Sequence, residues 1–177
     1  MGFFDHFKRK EKPASAPPAP EPAPESSATT TADRPDFTLS VPFRWEAVPS
    51  QEGYEFRNRT LPEQIVVTVL QHKRDLPADE LEEAITRLVN VRRSAIGQLS
   101  AGKAVLRETV LTRSNGQVEA RVIGEDAPNK VRLAFAIRGT PKKTVTVALT
   151  RYMLEEIGAP FADYAGVIFD LLKIKNG

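Results

Sequence analysis

The chemistry open to this chain is bounded first by what it holds little of. There is no cysteine and there are only two histidines, His6 and His72, so disulfides and thiol chemistry are out of reach. A Ser–His–Asp arrangement would have to use His72, and no Gly-x-Ser-x-Gly turn is present to hold a serine. His72 ends a predicted strand and reads as a solvent-facing strand residue. The acids of Asp79-Glu80-Leu81-Glu82-Glu83 have no cysteine or close histidine to complete a metal set, and acids in a first helical turn already suit the helix dipole. Gly139-Thr140-Pro141-Lys142-Lys143 is too short to cradle a phosphate and reads as a hairpin turn. The sequence predicts no catalytic residue, no metal and no cofactor, and points to binding.

Two stretches depart from what packing alone would ask. At the N-terminus, Phe3, Phe4 and Phe7 stand beside Lys8, Arg9 and Lys10. As a helix, Phe3 and Phe7 share a face, which predicts a docking tip for a membrane surface or a partner's groove. Burying three Phe side chains at roughly 1.5–3 kcal/mol each favours docking; ordering a helix shorter than about 12 residues opposes it. The second stretch is a pair of strands, Val131–Arg138 and Lys143–Thr150. Alternation turns Val131, Leu133, Phe135 and Ile137, then Val145, Val147 and Leu149, inward. Arg132, Ala134, Ala136, Thr144, Thr146 and Ala148 are left on a second face. A solvated face normally carries more Lys and Glu, and small residues let another element come close. The expectation is a face either covered by the closing helix or offered as a groove to an apolar helix or a homodimer partner. The basic pairs Lys73-Arg74, Arg92-Arg93 and Lys142-Lys143 read as solvated surface, and Trp45 and Tyr54 as plugs at the end of a small core.

The elements that would position these residues follow from periodicity. Leu76–Ser100 repeats Leu81, Ala84, Ile85, Leu88, Ala95, Ile96 and Leu99 at helical spacing, with Pro77 and four acids at its start and Gly97 and Gly102 at its end. Before it come a short strand at Asp36–Val41, a second at Gly53–Asn58 and a third at Gln64–His72. The third is apolar on both sides and so central in a sheet. After it come Lys103–Arg113 and Gln117–Gly124, joined through Asn115-Gly116, a strong hairpin signal. The two strands already named follow, then a helical turn around Tyr152–Ile157 and a closing helix at Pro160–Lys173. Two helices on one mostly antiparallel sheet predict an α+β sandwich, with a long helix after the third strand and a C-terminal helix.

Composition divides the chain. Residues 13–36 hold seven of the fourteen prolines, six alanines and no large apolar residue. That predicts a disordered linker between a tip at 1–12 and a single domain at 37–177. From Phe37 onward 20 Lys and Arg stand against 17 Asp and Glu, interspersed, which argues against a nucleic-acid partner. No run approaches the ~20 apolar residues of a membrane span, and Met1–Lys10 lacks a signal-peptide core, so a cytoplasmic location is expected.

The order of elements resembles the PsbP/DcrB-like superfamily of small α+β domains. The residues that carry the resemblance begin with Phe37-Thr38-Leu39-Ser40-Val41-Pro42 followed by Trp45, with Arg44 where the usual opening has glycine. Next come Gly53-Tyr54-Glu55-Phe56-Arg57-Asn58 and Ile65-Val66-Val67-Thr68-Val69, a helix beginning near Leu76-Pro77, the meander, and a helix after Pro160. The resemblance implies the PsbP/DcrB-like sandwich and a non-catalytic binding protein. In its bacterial branch it implies a cytoplasmic adaptor chaperone for a partner such as a type VI secretion effector. The alternative expectation is a peripheral membrane-associated structural protein, docked weakly through its N-terminal tip.

Overall fold

The computed structural model describes residues 29–42, 44–48, 53–108, 111–156 and 158–175. The docking tip (Phe3, Phe4, Phe7, Lys8, Arg9 and Lys10) and most of the 13–36 stretch lie outside them. The elements run β1 (Thr29–Asp33), β2 (Phe37–Pro42), β3 (Trp45–Val48), β4 (Tyr54–Asn58), β5 (Glu63–Gln71), α1 (Ala78–Leu99), β6 (Val105–Glu108), β7 (Thr112–Ser114), β8 (Gln117–Asp126), β9 (Val131–Gly139), β10 (Lys143–Arg151), α2 (Phe161–Asp170) and β11 (Leu172–Ile174).

The α+β sandwich built on one sheet is not what forms. Strands take 48% of the described residues and helices 23%, and the strands divide into two antiparallel sheets. The larger has the order β3-β4-β5-β10-β9-β8-β6, with β7 also on β8; the smaller is β1-β2-β11. The second sheet escapes a periodicity reading because two of its strands give no signal. β1, Thr-Thr-Thr-Ala-Asp, lies inside the stretch read as linker and has no large apolar residue to alternate; it forms by pairing along β2 from Thr29↔Pro42 to Asp33↔Thr38. β11 lies where the periodicity predicts a helix to Lys173, but α2 stops at Asp170 and Leu172–Ile174 pairs with β2. β3 is a further strand that the sequence does not predict, and the helical turn expected around Tyr152–Ile157 does not form at Tyr152–Glu156. Other expectations match. α1 occupies Ala78–Leu99, and Asn115 and Gly116 both take positive φ, 51° and 72°, in a tight turn between Ser114 and Gln117. No helix among the described residues is long and apolar enough to cross a membrane.

The larger sheet is covered on both faces. On one, α1 seats Leu81, Ile85 and Val89 against Val118, Ala120 and Val122 of β8 and Phe135 and Ile137 of β9. On the other, the small sheet (Phe37, Leu39, Val41) and α2 (Phe161, Ala165, Ile168, Phe169) pack on Ile65, Val67, Val145, Val147, Leu149, Ala134 and Ala136, with Trp45 buried at the margin. Asp36, just before β2, joins the two sheets: Lys143 Nζ of β10 and Gln71 Nε2 of β5 each donate to its Oδ1 at 2.7 Å.

One charged pair lies wholly inside this layer. Arg151 Nε donates to Glu63 Oε1 at 2.6 Å, with the two side chains 2% and 0% exposed. Glu63 Oε2 also accepts from Asn58 Nδ2 at 3.0 Å and Tyr164 Oη at 3.1 Å. Asn58 Oδ1 in turn accepts from Thr60 N and Leu61 N, which shapes the β4–β5 turn. The Arg151 guanidinium lies 5.1 Å from the Phe161 ring centre and 5.2 Å from that of Tyr164, a cation–π sandwich that holds α2 on the sheet. Burial, with the Glu63 carboxylate beside it, pushes the Tyr164 phenol well above its ordinary range.

Removing one partner of such a pair strands a buried charge. Arg151→Met is expected to lower the unfolding free energy by about 3–5 kcal/mol in urea titrations, and Arg151→Met with Glu63→Gln by clearly less. The Asp36 contact adds a pH dependence. Hydrogen bonds from Lys143 and Gln71 hold the Asp36 carboxyl below its ordinary value, so its contribution is complete above the unfolded value, about 3.9, and is lost as pH falls through the lower folded one. Asp36→Asn is expected to flatten the acid limb of stability below about pH 4.

Candidate functional site

The six residues expected to form one small-residue face do not share a face. Across the β9–β10 ladder Ala134 opposes Leu149, Ala136 opposes Val147, Thr146 opposes Ile137 and Ala148 opposes Phe135. Each face therefore takes its small residues from one strand and its large ones from the other, and the layers above fit into the relief. Ala134 and Ala136, 1% and 2% exposed, lie under α2 and the small sheet. Thr144 and Thr146 are buried and Ala148 half-buried on the α1 side. Arg92 of α1 donates to Thr68 Oγ1 of β5 at 3.3 Å. To reach β5 from a helix seated on β8 and β9, its side chain crosses β10, where Thr146 and Ala148 leave room. The small residues thus serve packing, buried or half-buried beneath the layers on either side.

His72 is not a free strand residue either. Its Nδ1 lies 2.9 Å from the Pro141 carbonyl oxygen and its Nε2 2.9 Å from Thr144 Oγ1. A carbonyl only accepts, so Nδ1 carries hydrogen, and in the neutral ring Nε2 accepts from the Thr144 hydroxyl. The ring fastens the end of β5 to the β9–β10 turn.

Of the six, Arg132 lines a cavity, an open cleft of about 430 Å³ between β6, β8 and the start of α2. The cleft follows from register. Glu63 of β5, Arg151 of β10, Arg132 of β9, Glu125 of β8 and Val105 of β6 are successive cross-strand partners. One row thus runs from the buried ion pair to the rim of the sheet. Arg132 sits between two carboxylates, with Nε 3.6 Å from Glu125 Oε2 and Nη1 paired with Glu156 Oε1. Glu156 Oε2 accepts from the Phe161 backbone N–H at 3.0 Å, so the positive end of α2 is already answered by a carboxylate of the chain. The far end of α2 is held as firmly: Arg138, paired with Glu119, donates to the Leu172 carbonyl at 2.6 Å.

The outer wall of the cleft is β6. Val105 and Arg107 alternate along it and line the cleft, as does Lys103 two residues ahead of it, while Leu106 turns to the α1 side. Val105 is 67% exposed. Lys103 and Arg107 have no ion-pair partner among the described residues. Among the described residues β8 is the only strand paired with β6, so half of its N–H and C=O groups point away from the sheet. Leu99 at the end of α1, 87% exposed, adds a second apolar side chain a few residues earlier in the chain. The expectation from sequence contained Arg132 but missed this wall. Lys-Ala-Val-Leu-Arg was legible as an alternating strand, yet nothing in its pattern says that it stands last in a sheet.

No family model matches the chain, and no curated protein matches it. Among solved structures it is similar to a crystal structure of a protein from Bacteroides thetaiotaomicron VPI-5482, with 12% identity and a TM-score of 0.41. The match covers 79% of this chain and 45% of that one, so the chain spans less than half of that protein's length.

The seat of β6 rests on Gly124. A Cβ there would lie 2.8 Å from the Val105 carbonyl oxygen and collide with the Leu106 side chain. Gly124→Val is expected to lift β6 from β8, with loss of amide-exchange protection at Val105–Glu108 and a stability cost of about 1–3 kcal/mol.

Proposed function

We propose that this chain is a cytoplasmic protein-binding module, an adaptor or chaperone for a partner protein, which it engages along β6 and the cleft beneath it. The observation that carries this reading is the rim of the larger sheet. A terminal strand with unpaired backbone groups presents an exposed valine between two cations that have no carboxylate of their own among the described residues. Such an edge is a template for another chain. The cleft supports the same reading, because its floor is fixed before any partner arrives: Arg132 and Glu156 are held by each other and by α2. The reading accords with the non-catalytic adaptor role that the resemblance to DcrB-like proteins implies.

Val105 is exposed and contributes little to the core, so it can be changed without unfolding the domain. Full-length protein purified from its native cell is expected to retain a partner that Val105→Asp loses by tenfold or more, with the melting temperature unchanged. Equal retention by the two proteins overturns the reading.

A further inference from the structure

We infer that the occupant of the β6 edge is an extended segment of another protein in which acidic and apolar side chains alternate, added to the sheet as an extra strand. The inference rests on the reading above and names the chemistry of its partner.

Three observations converge on this occupant. The first is the free backbone edge. β6 ends the larger sheet, with β8 as its only strand partner among the described residues, so a chain laid alongside it gains main-chain hydrogen bonds whatever its sequence. The second is the side-chain pattern. Val105 and Arg107 of β6 and Lys103, two residues ahead of it, line the same cleft, so an apolar side chain lies between two cations. The facing side chains of an added strand repeat with the same period. Its complement is acid–apolar–acid, with the central side chain entering the cleft over Ile123 and against Phe161. The third is charge. Glu125 and Glu156 are engaged by Arg132, whereas Lys103 and Arg107 have no ion-pair partner among the described residues. The unanswered charge at the rim is therefore positive.

The same pattern argues against a second copy of this chain as the occupant. Two β6 edges paired antiparallel about Val105 would bring Lys103, just ahead of β6 in each copy, toward Arg107 of the other. Like charges directly opposite one another destabilise a strand pair. Lys103 and Arg107 thus bar self-association of the edge while they invite an acidic strand, which is how natural sheets protect an edge they still use.

The test uses full-length protein and two labelled decapeptides, one alternating Glu and Val, the other Lys and Val. Fluorescence anisotropy is expected to show binding of the Glu–Val peptide alone, weakening as salt rises. Hydrogen exchange is expected to show new protection at the Val105–Glu108 amides. Charge reversal with Lys103→Glu and Arg107→Glu is expected to weaken the Glu–Val peptide by about tenfold and to transfer binding to the Lys–Val peptide. The inference is overturned if the Glu–Val peptide does not bind, if both peptides bind equally, if the reversed protein binds as the wild type does, or if protection appears away from β6. These failures are separable from failure of the module reading. Where Val105→Asp releases the native partner but the acidic peptide is not preferred, the module stands and its acidic partner falls. Where neither the native partner nor the peptide responds to Val105, both fall.

Discussion

The structure depends on a charge buried where an apolar residue would be easier to place. Arg151 and Glu63 stand opposite one another at the ends of β10 and β5, two inner strands of the larger sheet, on the face covered by α2 and the small sheet. A buried ion pair of this kind is costly to desolvate and contributes less to net stability than to arrangement. It calls for hydrogen-bond partners, and these come from separate elements: Asn58 at the end of β4 and Tyr164 of α2 donate to Glu63, while Arg151 Nη1 is left buried without one. Meeting those requirements sets the seat of α2, because Phe161 and Tyr164 flank the guanidinium.

From that pair the constraint travels along the strand register. Arg132 is the cross-strand neighbour of Arg151, and two adjacent cations need acids on their outer sides. Glu63 answers one; Glu125 and Glu156 answer the other. Glu156 at the same time receives the first N–H of α2. The floor of the cleft is thus built from opposite charges paired with one another. On the outer wall, at and just before β6, Lys103 and Arg107 have no ion-pair partner among the described residues. The fold makes its interior rigid and leaves its chemistry at the edge.

Much of the local structure was legible. The helical stripe of α1, the alternation of β5, β8, β9 and β10, and the Asn115-Gly116 turn were each carried by neighbouring residues. What escaped was structure that exists only through pairing. β1 and β11 have little periodicity of their own and become strands because β2 lies between them with both edges free. Without them the small sheet vanishes from a reading of the sequence, and the fold is mistaken for a single sheet under two helices. The candidate site followed the same rule. Ala134 and Ala136 were rightly seen as small, but the sequence does not state which β10 residue stands opposite each. A one-residue difference in register moves a side chain to the other face. Thr144, Thr146 and Ala148 lie on the far side from the two alanines for that reason.

The sequence by itself determined which segments are amphipathic and with what period, because propensity and side-chain alternation are properties of neighbours along the chain. It also determined that cysteine chemistry is absent and that cations alternate with Val105 between Lys103 and Arg107. Tertiary structure alone decided which face each strand turns inward, which strand stands last in the sheet, and which charges are answered. Those are relations between residues tens of positions apart, fixed when the strands choose partners. Arg132 is enclosed because Glu125 and Glu156 are brought to it, and Lys103 and Arg107 remain open because no carboxylate among the described residues reaches them.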